Sequence, residues 1–231
     1  MILAQLKIRE RGGDGSCVAN NGFCPDWIAD NFSRYEKPLL QHVELTLIAV
    51  AIGFAIAFGL ALLAHRRRWL IPPITQITGI LYTLPSVAVF FLLLPFTGRG
   101  NTTAIIALVA YTLLILFRNF IAGFENVPAE TRDAGRGMGL TARQLLWRVE
   151  MPLALPEIMA GLRIAVTTTV GLAALAFLAG AGGLGEALFD DITFRSNVLV
   201  AGGLAILLAV VLDLLILALQ KTLTPWTRAA T

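Results

Sequence analysis

The sequence predicts an all-α, polytopic membrane protein with about five spanning helices. Three observations predict it. Hydrophobic residues make up 57% of the chain and charged residues 14%, with a mean hydropathy of +0.76; a soluble domain carries about a quarter charged residues. Apolar runs near twenty residues recur along the chain, the length an α-helix needs to cross a bilayer core. The arginines gather beside those runs, a pattern that suits membrane orientation and not nucleic acid. The same composition narrows the chemistry. His42 and His65 cannot build a metal site by themselves. The lysines, Lys7, Lys37 and Lys221, leave no Gly-x-x-x-x-Gly-Lys-Ser/Thr phosphate loop, so the chain does not bind ATP by that route.

The elements follow in order. Residues 1–40 read as a polar tail, expected outside the cytoplasm. Residues 1–6 are too short an apolar run for a signal peptide. Cys17 and Cys24 flank six residues, a spacing that does not suit a zinc knuckle. On an extracytoplasmic tail they form a disulfide loop; on a cytoplasmic one they are two ordinary thiols. Residues 26–41 carry Trp27, Phe32 and Tyr35 among charges, which fits either an interfacial amphipathic helix or a partly ordered tail.

Residues 43–64 form the first span, with Glu44 at one end and Arg66-Arg67-Arg68 at the other. Three arginines at a membrane edge place that edge in the cytoplasm, so the N-terminus lies outside. Lys7, Arg9 and Arg11 argue weakly against this. Residues 74–96 span outward. Pro85 removes a backbone hydrogen bond within them, so the helix kinks or breaks there. A break lines a transport path; a kink serves packing. Residues 104–124 return inward, with Arg118 snorkelling at the interface.

A polar stretch, residues 125–156, follows. A small-residue turn at Gly135, Gly137 and Gly139 precedes a short helix, about residues 140–148, and Pro152 stops it. Leu145, Leu146 and Val149 share one face of that helix, flanked by Arg143 and Arg148. Such a helix lies on the membrane or docks in a partner's groove. Residues 158–179 span outward again. Arg163 pairs with Glu157 or snorkels, and Thr167-Thr168-Thr169 suit close packing or a pore wall. Residues 180–185 spell Gly-x-Gly-x-x-Gly, but no strand precedes them. They read as a flexible outer bend and not a dinucleotide site. Residues 198–219 form the last span, and Asp213 within it faces protein or water, in a structural pairing or a functional role.

Asp133-Ala134-Gly135, with Gly139 four residues on and Val149-Glu150-Met151-Pro152 at the end, keeps the spacing of a known pattern: Glu-Ala-Ala, three residues, Gly, nine residues, Ile-x-Leu-Pro. That stretch resembles the cytoplasmic loop of permease subunits of ATP-binding-cassette importers. Leu84-Pro85-Ser86, Arg132 through Leu140-Thr141, and Leu178 through Gly185 are further similar to the glycine betaine, carnitine and choline permeases. Methionine and other small-solute permeases share much of this pattern.

The resemblance implies a type I importer permease fold over residues 41–226, with a coupling loop at about 125–156. Its ATPase-facing residues would be Asp133, Ala134, Gly135, Gly139, Leu140, Thr141, Arg143, Leu145, Leu146, Val149 and Pro152. Pro85, Ser86, Thr168 and Asp213 are candidates for the translocation path. The resemblance also implies a transport subunit and not an enzyme, set in the membrane lipid of a bacterial inner membrane. It would pair with a second permease, the same chain or a different one. Separate ATPase subunits would bind ATP and magnesium, and an extracytoplasmic protein would deliver the solute. An aromatic cage for a quaternary ammonium group is not visible in the sequence. Two rivals differ in class. An intramembrane enzyme needs a catalytic pair, yet His42 and His65 lie a membrane apart. A scaffold would bind a cytoplasmic partner without transport.

Overall fold

The computed structural model describes residues 17–226, and every regular element among them is helical. Residues 1–16, with the readings made on them, lie outside the described residues. Helix α1 (Pro25–Asn31) opens on a proline, where the missing N–H has no intrahelical partner to lose. A 3₁₀ turn (Phe32–Tyr35) joins it to α2 (Glu36–Arg66), which is longer at both ends than the apolar run alone requires.

At Pro85 the structure has a full break. Helix α3 (Ile71–Thr83) and helix α4 (Ser86–Thr97) meet at 97°. Proline offers no N–H to the turn before it and pushes the preceding residue out of helical geometry; Leu84 is extended, at φ −63° and ψ 136°. Helix α5 (Asn101–Glu125) returns through the molecule. Helix α6 (Ala129–Gly137) and helix α7 (Ala142–Leu145) make up the polar stretch, and a π turn (Leu146–Glu150) carries α7 straight into α8 (Met151–Ala173).

The predicted outward span therefore begins earlier, at Met151, and ends earlier, at Ala173, before a 3₁₀ turn over Ala176–Ala179. Helix α9 (Leu184–Phe189), absent from the sequence reading, precedes α10 (Arg195–Leu223).

Helices α2, α5 and α8 form the centre. They approach closely because small residues sit at the crossings: a Cβ on Gly53 would fall 1.9 Å from the Thr112 hydroxyl, and one on Gly161 2.4 Å from Asn119 Cβ. Two apolar clusters stack along this axis. One gathers Leu45, Ala49, Leu108 and Tyr111 with Phe90 of α4; the other gathers Ala57, Ala61, Phe117, Phe120 and Phe124 with Ile71 and Ile74 of α3. The bent pair thus meets both ends of α5 and counts as one crossing. With the four helical stretches that pass alone, it gives five spans. Most of α10 exposes apolar side chains, among them Ile206, Leu207, Leu214 and Leu215; it is buried only near its start.

Residues from Cys17 onward pack against the start of α10. Cys17 and Cys24 are joined by a disulfide. The Cys24 N–H donates to Ser196 Oγ at 2.8 Å, and Trp27 meets the Phe194 ring edge-on at 4.6 Å. The Tyr35 hydroxyl donates to Asn197 Oδ1 at 2.6 Å, and Asn197 Nδ2 in turn donates to the Ala187 carbonyl at 2.8 Å.

Residues 180–185 are not a loose bend. Residues 181–185 are all buried against the head of α2. The Gln41 amide donates to the Ala181 carbonyl. The buried His42 accepts the Leu184 N–H at Nδ1, 3.3 Å away, and donates from Nε2 to the Val170 carbonyl at 3.0 Å. A carbonyl only accepts and an amide only donates, so these partners select the neutral Nε2–H tautomer.

Candidate functional site

The polar stretch is built from local chemistry upward. Helix α6 closes on a left-handed glycine: the Leu140 N–H donates to the Gly135 carbonyl at 3.2 Å, and the Gly139 N–H to the Arg136 carbonyl at 2.9 Å. This is the Schellman arrangement, and it needs a positive φ at Gly139, here +80°. Gly135 and Gly137 are helical, so the predicted three-glycine turn reduces to Gly139 alone. Gly135 instead serves contact, because a Cβ there would lie 2.6 Å from Leu145 Cδ1.

Thr141 then caps α7. The Gln144 N–H donates to its hydroxyl, and the Thr141 N–H donates back to Gln144 Oε1, forming a capping box. The expected stop at Pro152 does not occur. The Met151 N–H bonds to the Leu146 carbonyl, a wider π turn, and Pro152 falls in the first turn of α8, where its missing N–H is tolerated.

This geometry settles which face points where. Leu145 and Leu146 are buried, Val149 is half-buried, and Leu146 joins the apolar cluster of α2 and α5. They hold the loop to the body of the chain. The exposed tip carries Thr141, Ala142, Arg143, Gln144, Trp147 and Arg148. Asp133 pairs with Arg136 at 3.2 Å, both exposed, which contributes little to stability.

The buried acid of this region is Glu150, whose side chain is 6% exposed. It accepts from Arg132 Nε at 2.8 Å and from His65 Nε2 at 2.9 Å. Arg132 also donates to the Phe124 carbonyl. One carboxylate thus ties together the ends of α2 and α5, helix α6 and the π turn that follows α7. A cleft of about 350 Å³, lined by His65, Arg68, Arg132, Asp133, Arg136 and Glu150, opens beside it.

The residues predicted for a path lie on separate elements. Pro85 and Ser86 sit at the break. Thr168 is half-buried on α8. Asp213 of α10 is held by Arg163 of α8 through two bonds of 2.8 Å each, so both charges are compensated where they lie. Asp213 is thus paired within the chain, and Arg163 takes it in place of the Glu157 pairing or the snorkelling suggested by the sequence.

Sequence reasoning missed the cluster of Glu150, His65 and Arg132. The Thr-x-x-Gln spacing would have revealed the cap at Thr141. No local signal marks Glu150, whose partners lie 18 and 85 residues away. Among the described residues no group of three or more His, Cys, Asp or Glu side chains is placed to hold a metal.

Comparison with known proteins adds the following. Residues 47–229 match the family described as binding-protein-dependent transport system inner membrane component. The chain is 40% identical over 208 residues to the osmoprotectant import permease protein OsmW of Salmonella typhimurium, covering 86% of this chain and 96% of that one. It is 35% identical over 187 residues to the carnitine transport permease protein OpuCB of Listeria monocytogenes, covering 80% and 86%. Among solved structures it is similar in fold to a chain of the inward-facing MetNI methionine ABC transporter, with a TM-score of 0.70 and 24% identity over 85% of this chain and 96% of that one. A chain from an amino acid ABC transporter with histidines gives 0.71 and 15%, over 85% and 97%.

Proposed function

The chain belongs to the family of binding-protein-dependent transport system inner membrane components, and on that footing we propose that it forms the membrane path for a quaternary-ammonium osmolyte such as glycine betaine, carnitine or choline. It is the permease subunit of an ATP-binding-cassette importer and not an enzyme; ATP hydrolysis resides in separate subunits. The observation that carries the osmolyte reading is the 40% identity to an osmoprotectant permease along nearly its whole length.

In this reading a second permease subunit completes the path, and an extracytoplasmic protein delivers the solute. ATP and magnesium sit in the ATPases. The tip from Thr141 to Arg148 docks on an ATPase, and Glu150 passes the movement of that tip to α2, α5 and α6. The coupling is a two-state one: the docked tip favours one arrangement of the helices over the other.

The test is reconstitution with the ATPase and the binding protein. Labelled glycine betaine, carnitine or choline is expected to enter vesicles saturably and only with ATP. Uptake of methionine and of none of these would assign the chain to amino-acid import. Purification without any ATPase would favour a scaffold.

We propose the same orientation that the arginines suggest, N-terminus outside and C-terminus in the cytoplasm. Arg66, Arg67 and Arg68 share one end of the molecule with the polar loop, and the Cys17–Cys24 disulfide lies at the other, which suits an oxidising compartment. A membrane-impermeant maleimide added to intact cells should label the two cysteines only after reduction. Labelling that requires permeabilised cells would reverse the orientation.

A further inference from the structure

The break between α3 and α4 leaves four consecutive residues, Tyr82 to Pro85, exposed. Thr83 lies about 18 Å along α3 from Ile71, at 1.5 Å per residue, in a membrane core about 30 Å thick. Tyr111, which bonds the Leu84 carbonyl at the break, lies midway along α5, so the break is near the middle of the bilayer. The Leu81 carbonyl loses its usual partner, because Pro85 has no N–H. The last carbonyls of α3 have no following turn to donate to them. Two are satisfied by side chains: the Tyr111 hydroxyl donates to the Leu84 carbonyl at 2.6 Å, and the Thr83 hydroxyl to the Ile80 carbonyl at 2.8 Å. Irregular backbone at that depth cannot face lipid. It faces the second subunit or a water-filled path.

Two properties of this face select a ligand. The exposed carbonyls that end α3 attract a cation locally, beside the N–H groups with which α4 opens at Ser86. The face also presents an aromatic ring: Tyr82 is 39% exposed, with its ring centroid 6.0 Å from that of the buried Tyr111. A quaternary ammonium group has no N–H and cannot form conventional hydrogen bonds. Carbonyl dipoles and an aromatic face are the neutral groups that attract it, and they release it more readily than a carboxylate would.

We propose that Tyr82 and the open carbonyl end of α3 form a transient, mid-membrane contact site for the quaternary ammonium group of the solute. This rests on the osmolyte reading above. Tyr82 is the specificity-determining ring, and Tyr111 positions the break through the Leu84 carbonyl.

The test uses the complete importer in vesicles, with saturating binding protein and labelled glycine betaine or choline. The binding protein sets half-saturation, so the effect belongs in the maximal rate. Tyr82→Leu is expected to lower that rate about tenfold, while Tyr82→Phe and Tyr82→Trp keep it within about threefold of wild type, the order of their attraction for cations. Equal membrane yield and ATPase co-purification of the three variants separates this from misfolding. An unchanged rate in Tyr82→Leu overturns the proposal. So does a Phe variant that falls as far as Leu, since the hydroxyl would then matter and not the ring. If wild-type vesicles take up methionine but no quaternary ammonium solute, the osmolyte reading fails first, and this site fails with it.

Discussion

Gly185→Ala is expected to lower both the yield of monodisperse folded subunit and its melting temperature. A methyl group there would lie 1.8 Å from the Ala174 carbonyl oxygen and 2.6 Å from its carbon. Both are backbone atoms, so no rotamer change can relieve the overlap. Relief requires α9 to move off the end of α8. That shift would pull the Leu184 N–H from His42 and the Ala181 carbonyl from Gln41, and these contacts fasten the head of α2. Overpacking against backbone sits at the top of the usual range, about 3 kcal/mol, a fall of about 6–12 °C in melting temperature for a chain of this size. Gly203 is the control: an added Cβ meets nothing within 4 Å and sits inside α10, so Gly203→Ala should be neutral or slightly stabilising. Size-exclusion profiles and thermal unfolding of the detergent-solubilised subunit read both. A Gly185→Ala protein with wild-type yield and melting temperature would mean that α9 does not pack as described.

The contrast between Gly185 and Gly139 marks what the sequence can tell. The five spans are legible because a bilayer demands long apolar runs, and the glycines at 135–139 announce a turn, of which only Gly139 takes a positive φ. Contacts between distant segments are not legible in this way. The glycines at 180–185 look like a hinge in one dimension, since nothing local tells a glycine needed for turning from one needed for contact. Pro85 announces an interruption, yet the 97° angle depends on how α3 and α4 pack on opposite ends of α5. Leu145 and Leu146 show amphipathicity without showing what they face. The sequence offers that face to the membrane or to a partner's groove, and the chain's own α2, α5 and α6 cover it instead.

Glu150 is the sharpest instance, and it carries the second large effect. In the loop pattern it fills the unspecified position between Val149 and Met151, so the pattern attaches no meaning to it. In the fold it is the shared acceptor for Arg132 and His65. Replacing it with alanine leaves the Arg132 guanidinium, 15% exposed, without its carboxylate. Loss of one partner from a buried ion pair costs about 3–5 kcal/mol, more than the pair itself contributes, because the remaining charge stays desolvated. The cost falls on the connection between the tip proposed to dock and the transmembrane helices. Glu150→Ala is therefore expected to lower ATP-dependent uptake at least tenfold while ATP hydrolysis falls less, so that more ATP is consumed per solute. Asp133→Ala, which removes an exposed pair, should change stability by less than about 1 kcal/mol. Combining Glu150→Leu with Arg132→Met removes both charges together. If the charge left behind is the cause, the double variant will be less destabilised than the sum of the single ones. Additive losses would show that the two residues act separately, and unaltered coupling in Glu150→Ala would place the transmission elsewhere than through this carboxylate.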